Sequence, residues 1–185
     1  MKRLFVATKI KPENQLTGAY RKIREELSVD IIKWVNEDNL HITLKFLGDT
    51  PEKDVPIITE SLKKSLADTR RFYLRIIGFG YFGSSRFPRV LWFGTEDGGQ
   101  LQQLYKELNK GLEKYGPTEK SNVFKPHLTI GRVKEFKSMN TLFELEAEFA
   151  GETFQTTLVN EVILYESFLK PTGPVYKVVE KVELS

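Results

Sequence analysis

The chain contains two matching tetrapeptides, His41-Ile42-Thr43-Leu44 and His127-Leu128-Thr129-Ile130, and they hold its only two histidines. Each tetrapeptide lies in a run of apolar and β-branched residues that is typical of a β-strand. Side chains alternate between the faces of a strand, so each histidine should share a face with the threonine two positions later. On the first strand, Ile42, Leu44 and Phe46 are expected to point the other way, into a core.

Strand and helix signals occur in both halves of the chain, with several strands in direct succession. The pattern predicts strands at 3–10, 31–35, 41–48, 72–79, 89–94, 154–157, 161–168 and 175–182 and around the second tetrapeptide, a loop at 83–88, and helices at about 12–27, 50–66, 100–115 and 139–147. The strands at 31–35 and 41–48 are expected to be antiparallel neighbours.

This order of elements favours an α+β fold over a doubly wound parallel sheet. The two tetrapeptides lie one in each half of the chain, which indicates an imperfect internal duplication. We therefore expect residues 1–185 to form a single bilobal domain. Two antiparallel sheets with outer helices would surround a central cleft with pseudo-twofold symmetry, and each lobe would contribute one His-x-Thr strand.

Composition excludes several classes of protein. The chain has no cysteine, which rules out disulfides and thiolate metal sites, and two histidines make a poor zinc set. No apolar run is long enough for a membrane span or a secretory signal, so we expect a cytoplasmic protein. The 28 basic and 25 acidic residues give a formal net charge of +3. Such scattered charge is compatible with a polyanionic partner but identifies none.

Two His-x-Thr strands that flank one cleft would supply acid and base chemistry for a phosphate. Histidine titrates near neutral pH, so one neutral imidazole can activate water while one imidazolium protonates a leaving sugar oxygen. The hydroxyls of Thr43 and Thr129 can donate hydrogen bonds to non-bridging phosphate oxygens. Neither step requires a metal or a cofactor. The sequence therefore predicts acid and base catalysis at a phosphate by His41 and His127, of the kind that hydrolysis of a cyclic phosphodiester requires.

Threonine hydroxyls do not neutralise a phosphate, so a cation is also expected near the site. Lys45 should share the strand face of His41, although it would serve equally well as a surface charge. Strict alternation places Arg132 opposite His127, where it would more readily cap a strand end or pair with an acid. Lys45 and Arg132 are therefore weaker candidates. The tryptophans and phenylalanines are expected to pack in the core.

The motifs resemble those of a known family. His41-Ile42-Thr43-Leu44-Lys45-Phe46-Leu47-Gly48 and Pro126-His127-Leu128-Thr129-Ile130 resemble the two signatures of the two-histidine phosphoesterase superfamily. The closest branch is the RNA 2′,3′-cyclic phosphodiesterase family, historically called 2′-5′ RNA ligases. Pro88-Arg89-Val90-Leu91-Trp92 and Gly173-Pro174-Val175-Tyr176 add to the similarity, which covers essentially the whole chain.

The resemblance implies a bilobal α+β fold and the opening of RNA 2′,3′-cyclic phosphate ends to 2′-phosphomonoesters without metal or cofactor. It implies that His41 protonates the leaving 3′-oxygen and that His127 activates water, with Thr43 and Thr129 on the phosphate oxygens. Reversible 2′-5′ joining of RNA ends can use the same two histidines, with a ribose hydroxyl in place of water. We also expect a monomer, with tRNA fragments or splicing intermediates as substrates.

Two other functions are compatible with the sequence. A module of the same fold could bind nucleotides or RNA ends without turnover, because a fold does not determine an activity. A metal-dependent hydrolase would combine the histidines with carboxylates such as Asp38 or Asp49, but the threonine spacing would then have no purpose. Activity that survives a chelator would eliminate this second alternative.

Overall fold

The computed structural model describes residues 1–116, 124–171 and 173–185, which form nine strands and four α-helices. In chain order the elements are β1 (Lys2–Lys9), α1 (Asn14–Glu26), β2 (Ile31–Trp34), β3 (His41–Thr50), α2 (Val55–Leu66), β4 (Phe72–Ser84), β5 (Phe87–Glu96), α3 (Gln100–Gly111), β6 (Leu128–Glu135), α4 (Met139–Glu148), β7 (Thr153–Val159), β8 (Glu161–Lys170) and β9 (Gly173–Glu183). Short 3-10 turns at Glu37–Asn39 and Glu52–Asp54 precede β3 and α2.

The strands form two antiparallel sheets. Sheet A has the order β3-β1-β8-β9, and sheet B has the order β2-β6-β5-β4-β7. The strand β3 carries the first tetrapeptide and lies in sheet A, whereas β6 carries most of the second and lies in sheet B. These two strands contact one another, so the sheets meet where the motifs lie. The predicted bilobal α+β fold is confirmed.

The two lobes repeat one arrangement of four strands. The order β3-β1-β8-β9 in sheet A corresponds to β6-β5-β4-β7 in sheet B, where β2 is added next to β6. The segments 41–46 and 127–132 also share one burial sequence: partly buried, buried, partly buried, buried, buried, exposed. The internal duplication is therefore visible in both topology and burial.

One predicted strand pairing is wrong. The segments 31–35 and 41–48 are not neighbours, because β2 pairs with β6 in sheet B and β3 pairs with β1 in sheet A. The 3-10 turn at Glu37–Asn39 carries the chain between the sheets, and the side chain of Asn36 accepts a hydrogen bond from the backbone N–H of Asp38. A short polar segment between two strands can connect neighbours in one sheet or strands in different sheets, and its sequence does not distinguish the two cases.

The predicted loop at 83–88 is a tight hairpin instead. The strands β4 and β5 extend beyond their predicted ends, and Ser84 pairs with Phe87. Gly83 adopts a φ of 111° beside an irregularity in the register. Only glycine adopts such a backbone readily, which allows the two long strands to turn within so few residues.

Amphipathic helices cover the faces of the sheets that point away from the histidines. Buried side chains on α1 and α3 join those of both sheets in one continuous hydrophobic cluster, which includes Leu16, Ile23, Leu104, Val6 and Phe93. Burying one such side chain contributes about 1.5–3 kcal/mol, so this shared core holds the two sheets together. No helix within the described ranges is long and apolar enough to cross a membrane.

Candidate active site

The two imidazoles are held in the same way. His41 begins β3, and His127 directly precedes β6. Nδ1 lies 2.6 Å from the carbonyl oxygen of Asn39 in the first ring and 2.7 Å from that of Lys125 in the second. A carbonyl oxygen only accepts hydrogen bonds, so Nδ1 carries a proton and donates it in both cases. Nε2 is therefore the nitrogen of each ring that can exchange a proton with a substrate.

The two imidazoles also share one electrostatic environment. Burial lowers the pKa of both His41 and His127 from the ordinary 6.5, and the hydrogen bonds to backbone carbonyls partly oppose this effect. The positive charge of Arg132 lowers the pKa of both rings further, and the charge of His127 lowers that of His41. The structure thus brings both predicted histidines and Arg132 within electrostatic reach of one another.

We expect kcat/KM to follow a bell-shaped pH profile with its optimum below 6.5. One ring must be neutral while the other is protonated, so activity peaks between two pKa values that both lie below 6.5. Steady-state kinetics from acid to alkaline pH checks this expectation. An optimum above 6.5 would show that the lowered pKa values do not control turnover in the free enzyme.

A β-bulge places Arg132 on the face of His127. Thr129 and Arg132 are three positions apart on β6, but their partners on β5 are only two positions apart. Ile130 is therefore the extra residue of a bulge. Paired residues of antiparallel strands point to the same side, and the extra residue shifts the alternation by one. The expectation that Arg132 lies opposite His127 is therefore wrong.

The corresponding bulge on β3 removes Lys45 from the face of His41. The partner of Lys45 on β1 is the core residue Val6, and Leu44 has no partner in the register. Lys45 is only 6% exposed, and its Nζ donates a hydrogen bond to Oδ1 of Asn109 on α3. The expectation that Lys45 shares the face of His41 is wrong, again because one extra residue reverses the alternation.

The same bulge turns Phe46 toward the histidine face. Phe46 is 54% exposed, and its ring centroid lies 6.2 Å from that of Phe5, which in turn lies 5.1 Å from that of His41. The expectation that Phe46 faces the core is therefore wrong. Phe46 and Arg132 follow their histidines at the same spacing, so one lobe offers an aromatic ring where the other offers a cation.

Further aromatic rings flank both histidines, and no sequence pattern places them there. Phe82 on β4 lies edge-on to His127 with centroids 4.8 Å apart, and Tyr176 on β9 lies edge-on to His41 at 5.3 Å. Tyr176 belongs to one of the segments that carry the family resemblance, but that segment indicates no role for it. Phe82 comes close to His127 because β4 pairs with β5 and β5 pairs with β6. A local sequence pattern does not reveal which strands pair.

Thr43 and Thr129 keep their predicted places. Both precede the bulges, so each shares a strand face with its histidine, and both are partly buried. The candidate active site therefore consists of two imidazoles, two hydroxyls and one guanidinium. These groups suit a single phosphate, because the hydroxyls and the guanidinium donate hydrogen bonds while the imidazoles exchange protons.

Of the two carboxylates considered for a metal site, Asp38 lies close to His41, where both line one small cavity, but Asp49 does not. Asp49 lies near the other end of β3 from His41 and pairs with Arg3. In the part of the chain that the structure describes, no group of three or more His, Asp or Glu residues is placed to hold a metal ion.

Comparison with known proteins gives closely related sequences over most of the chain. The RNA 2′,3′-cyclic phosphodiesterase of Thermotoga maritima is 37% identical over 145 residues, which cover 78% of this chain and 75% of that protein. The protein of the same name from Archaeoglobus fulgidus is 34% identical over 176 residues, which cover 95% of this chain and 96% of that one.

Solved structures and a family model agree with these sequences. The crystal structure of TT0787 of Thermus thermophilus matches with a TM-score of 0.78 at 29% identity, covering 98% of this chain and 97% of that chain. Apo LigT of E. coli shares the fold with a TM-score of 0.73 at 21% identity, covering 100% of this chain and 98% of that chain. The model of the 2′-5′ RNA ligase superfamily matches residues 12–167. The chain belongs to the 2′-5′ RNA ligase superfamily.

Proposed function

We propose that this enzyme hydrolyses RNA 2′,3′-cyclic phosphate ends to 2′-phosphomonoesters by paired-histidine acid and base catalysis. The observation that carries the proposal is the matched pair of imidazoles, each held through Nδ1 by a backbone carbonyl two residues earlier. The relatives named RNA 2′,3′-cyclic phosphodiesterase support the substrate class.

In the proposed reaction, the cyclic phosphate lies between the two rings. Nε2 of neutral His127 takes a proton from water as the water oxygen bonds to phosphorus. The bond between phosphorus and the ribose 3′-oxygen breaks, and protonated His41 gives its proton to that oxygen. The product carries a 2′-phosphate and a 3′-hydroxyl. One water molecule is added overall, and the proton held by His127 returns to solvent while His41 is reprotonated.

The remaining groups would stabilise the charge on the phosphate. The planar guanidinium of Arg132 can bind two phosphate oxygens at once and remains charged at every relevant pH. Thr43 and Thr129 would donate hydrogen bonds to non-bridging oxygens from opposite lobes. Lys45 faces α3 instead, so we assign it no contact with the substrate.

Thr43→Val or Thr129→Val should lower kcat by about 10²-fold, the lower end of the range for one oxyanion donor. Valine keeps the β-branched shape that suits a strand, so the fold should be unaffected. Steady-state kinetics together with thermal unfolding checks both points. A loss as large as that in a histidine variant would show that the hydroxyl does more than donate one hydrogen bond.

The same groups can also join two RNA ends. A ribose hydroxyl in place of water would give its proton to His127 and attack the cyclic phosphate, and His41 would protonate the leaving 3′-oxygen, which leaves a 2′-5′ bond. Cleavage of that bond back to the cyclic phosphate would use the same two histidines in exchanged roles. Water competes with that hydroxyl, so hydrolysis should dominate. The alternative function is a non-catalytic module that binds nucleotides or RNA ends.

We further propose that the enzyme acts in the cytoplasm as a monomer, with tRNA fragments among its substrates. The lack of cysteine is in keeping with a reducing compartment. The small net charge of +3 accommodates a short RNA end without requiring a long bound duplex. Sedimentation of the pure protein, alone and with tRNA fragments, tests the monomer and the partner together.

The test of the proposed function is incubation of the protein, with EDTA present, with a short RNA that ends in a 2′,3′-cyclic phosphate. Chromatography should show a 2′-phosphate end that phosphatase removes. A 3′-phosphate product would contradict the assigned leaving group. Substrate that binds but stays unchanged would identify a binding module, and activity that requires added metal would identify a metal-dependent hydrolase.

A further inference from the structure

A row of four side chains crosses the face of sheet B that carries His127. Lys33 on β2 pairs with Arg132 on β6. Arg132 also pairs with Val90 on β5, which pairs with Phe82 on β4. Paired residues of antiparallel strands point to the same side, and the ring of Phe82 lies edge-on to that of His127. The row therefore starts at the imidazole and crosses four of the five strands of sheet B.

The exposed ring of Phe87 continues this face toward the hairpin between β4 and β5. Phe87 pairs with Ser84, which lies two positions after Phe82 on β4, so the two rings share a face. Phe87 is 69% exposed. One exposed apolar side chain is ordinary, but this one adjoins a row that reaches the active site. We call these side chains together the sheet B strip: Lys33, Arg132, Val90, Phe82 and Phe87.

The strip combines aromatic rings with cations that have no acidic partner. Among the described residues, none of the ion pairs includes Lys33 or Arg132. Both cations are exposed. Arg132 is assigned to the reacting phosphate, and Lys33 has no role in hydrolysis. Surfaces that bind single-stranded nucleic acid combine cations for the phosphates with aromatic rings on which the bases stack. The strip therefore suits a single strand of RNA.

The direction of the proposed reaction decides which RNA strand fits there. The attacking and leaving oxygens of a phosphoryl transfer lie roughly in line with phosphorus. His41 protonates the leaving 3′-oxygen, so the ribose of the cyclic end lies on the side of sheet A. The attacking oxygen then lies on the side of His127 and sheet B. A strand on the strip would therefore supply the attacking hydroxyl, and a 2′-5′ bond requires this to be a 5′-hydroxyl.

We propose that the strip binds the 5′-hydroxyl end of a second RNA and positions that hydroxyl to attack the cyclic phosphate. The inference rests on the proposed function and its ligation branch. The 5′-hydroxyl gives its proton to Nε2 of His127 while its oxygen bonds to phosphorus. The bond between phosphorus and the 3′-oxygen breaks, and His41 protonates that oxygen. The first base of the second RNA stacks on the rings of Phe82 and Phe87, and the phosphate that follows contacts Lys33.

The first test measures binding without turnover. The wild-type protein is saturated with adenosine 2′-monophosphate, which fills the phosphate site, and is titrated with an RNA trinucleotide that carries a fluorophore at its 3′ end. One probe has a 5′-hydroxyl and the other a 5′-phosphate. The 5′-hydroxyl probe should bind about tenfold more tightly, because a 5′-phosphate would lie against the 2′-phosphate already bound.

A basic surface that binds RNA without placing its 5′ end would favour the probe with more negative charge. Equal affinity for the two probes, or tighter binding of the 5′-phosphate probe, would therefore overturn the proposal. This result needs no variant and does not depend on whether one folds.

The second test follows both products in one reaction that contains an RNA with a cyclic phosphate end and an excess of a 5′-hydroxyl RNA. Phe87→Ser should lower the ratio of ligated to hydrolysed product by about tenfold, as expected for the loss of one stacked base. Tyr73→Ser is the matched control and should keep the wild-type ratio. Tyr73 is 70% exposed in the same sheet, near the other end of β4 from Phe82.

Three outcomes of the second test would overturn the proposal. They are a wild-type ratio in Phe87→Ser, an equally large loss in Tyr73→Ser, and a wild type that hydrolyses the cyclic end but gives no ligated product. If the wild type gives neither product and still prefers the 5′-hydroxyl probe, the binding site stands and the proposed function fails. Hydrolysis by a protein that binds both probes equally overturns the binding site and leaves the proposed function standing.

Discussion

Replacing His41 or His127 by alanine should lower kcat by about 10⁴-fold, the upper end of the range for general acid and base groups. The upper end is expected because an alkoxide is a poor leaving group without a proton donor, and water is a poor nucleophile without a base. KM should change little, since Arg132 and both threonines remain to hold the phosphate. Single-turnover kinetics on an RNA end with a cyclic phosphate gives the measurement.

Both histidine variants should still fold, as thermal unfolding would show, because the aromatic neighbours of the rings, Phe5, Tyr176 and Phe82, lie outside the core that the two sheets share. The bell-shaped pH profile should lose one limb in each variant, since each ring accounts for one limb. Near-wild-type turnover in either variant would contradict the paired-histidine mechanism.

Arg132→Met should lower kcat/KM by about 10²–10³-fold, as expected for loss of an electrostatic contact to the phosphate. It should also move the pH optimum upward. The positive charge of Arg132 lowers the pKa of both His41 and His127, so its removal raises both values. A pH series of kcat/KM on the variant measures the two effects together, and a merely structural role would not produce the second.

Lys45→Met is the matched control for Arg132→Met. Lys45 and Arg132 are both cations that follow the histidine of a His-x-Thr motif by four or five residues. Methionine removes the charge in each case and preserves most of the apolar part of the side chain. Lys45 faces α3 and donates to Asn109, so its replacement should leave both the rate and the pH optimum close to wild type. An Arg132→Met variant with an unchanged pH optimum, or a Lys45→Met variant with a shifted one, would contradict the opposite placement of these two cations.

Alternation along a strand predicted the part of the site that precedes the bulges. His41 with Thr43, and His127 with Thr129, share a face as expected, because side chains alternate as long as each residue has a partner. After the bulges, alternation predicted the wrong face for Lys45, Phe46 and Arg132. A bulge depends on the pairing of two distant strands, and no local pattern in either strand reveals it.

The contacts between distant elements could not be predicted for a similar reason. The strand β2 joins sheet B although its neighbour in sequence, β3, joins sheet A. Tyr176 meets His41 only because β9 pairs with β8, which pairs with β1. Helices and strands follow from local periodicity, but the choice of partner depends on how the whole core packs.

The two lobes share one strand order but carry different side chains at corresponding positions. Phe46 occupies the position of Arg132, and Ala7 occupies that of Trp92. One lobe therefore presents an exposed aromatic ring where the other presents a cation. This difference gives an approximately symmetric cleft a direction, which a reaction with distinct attacking and leaving groups requires.

The most direct test of the central claim, that the two histidines divide the proton transfers at one phosphate, uses a cyclic phosphate attached to the ribose through a 3′-sulfur. A thiol has a pKa of about 8.5, so sulfur leaves as a thiolate without a proton donor. This substrate should restore turnover to His41→Ala and not to His127→Ala. Rescue of His127→Ala instead, or of neither variant, would contradict the assignment of acid and base.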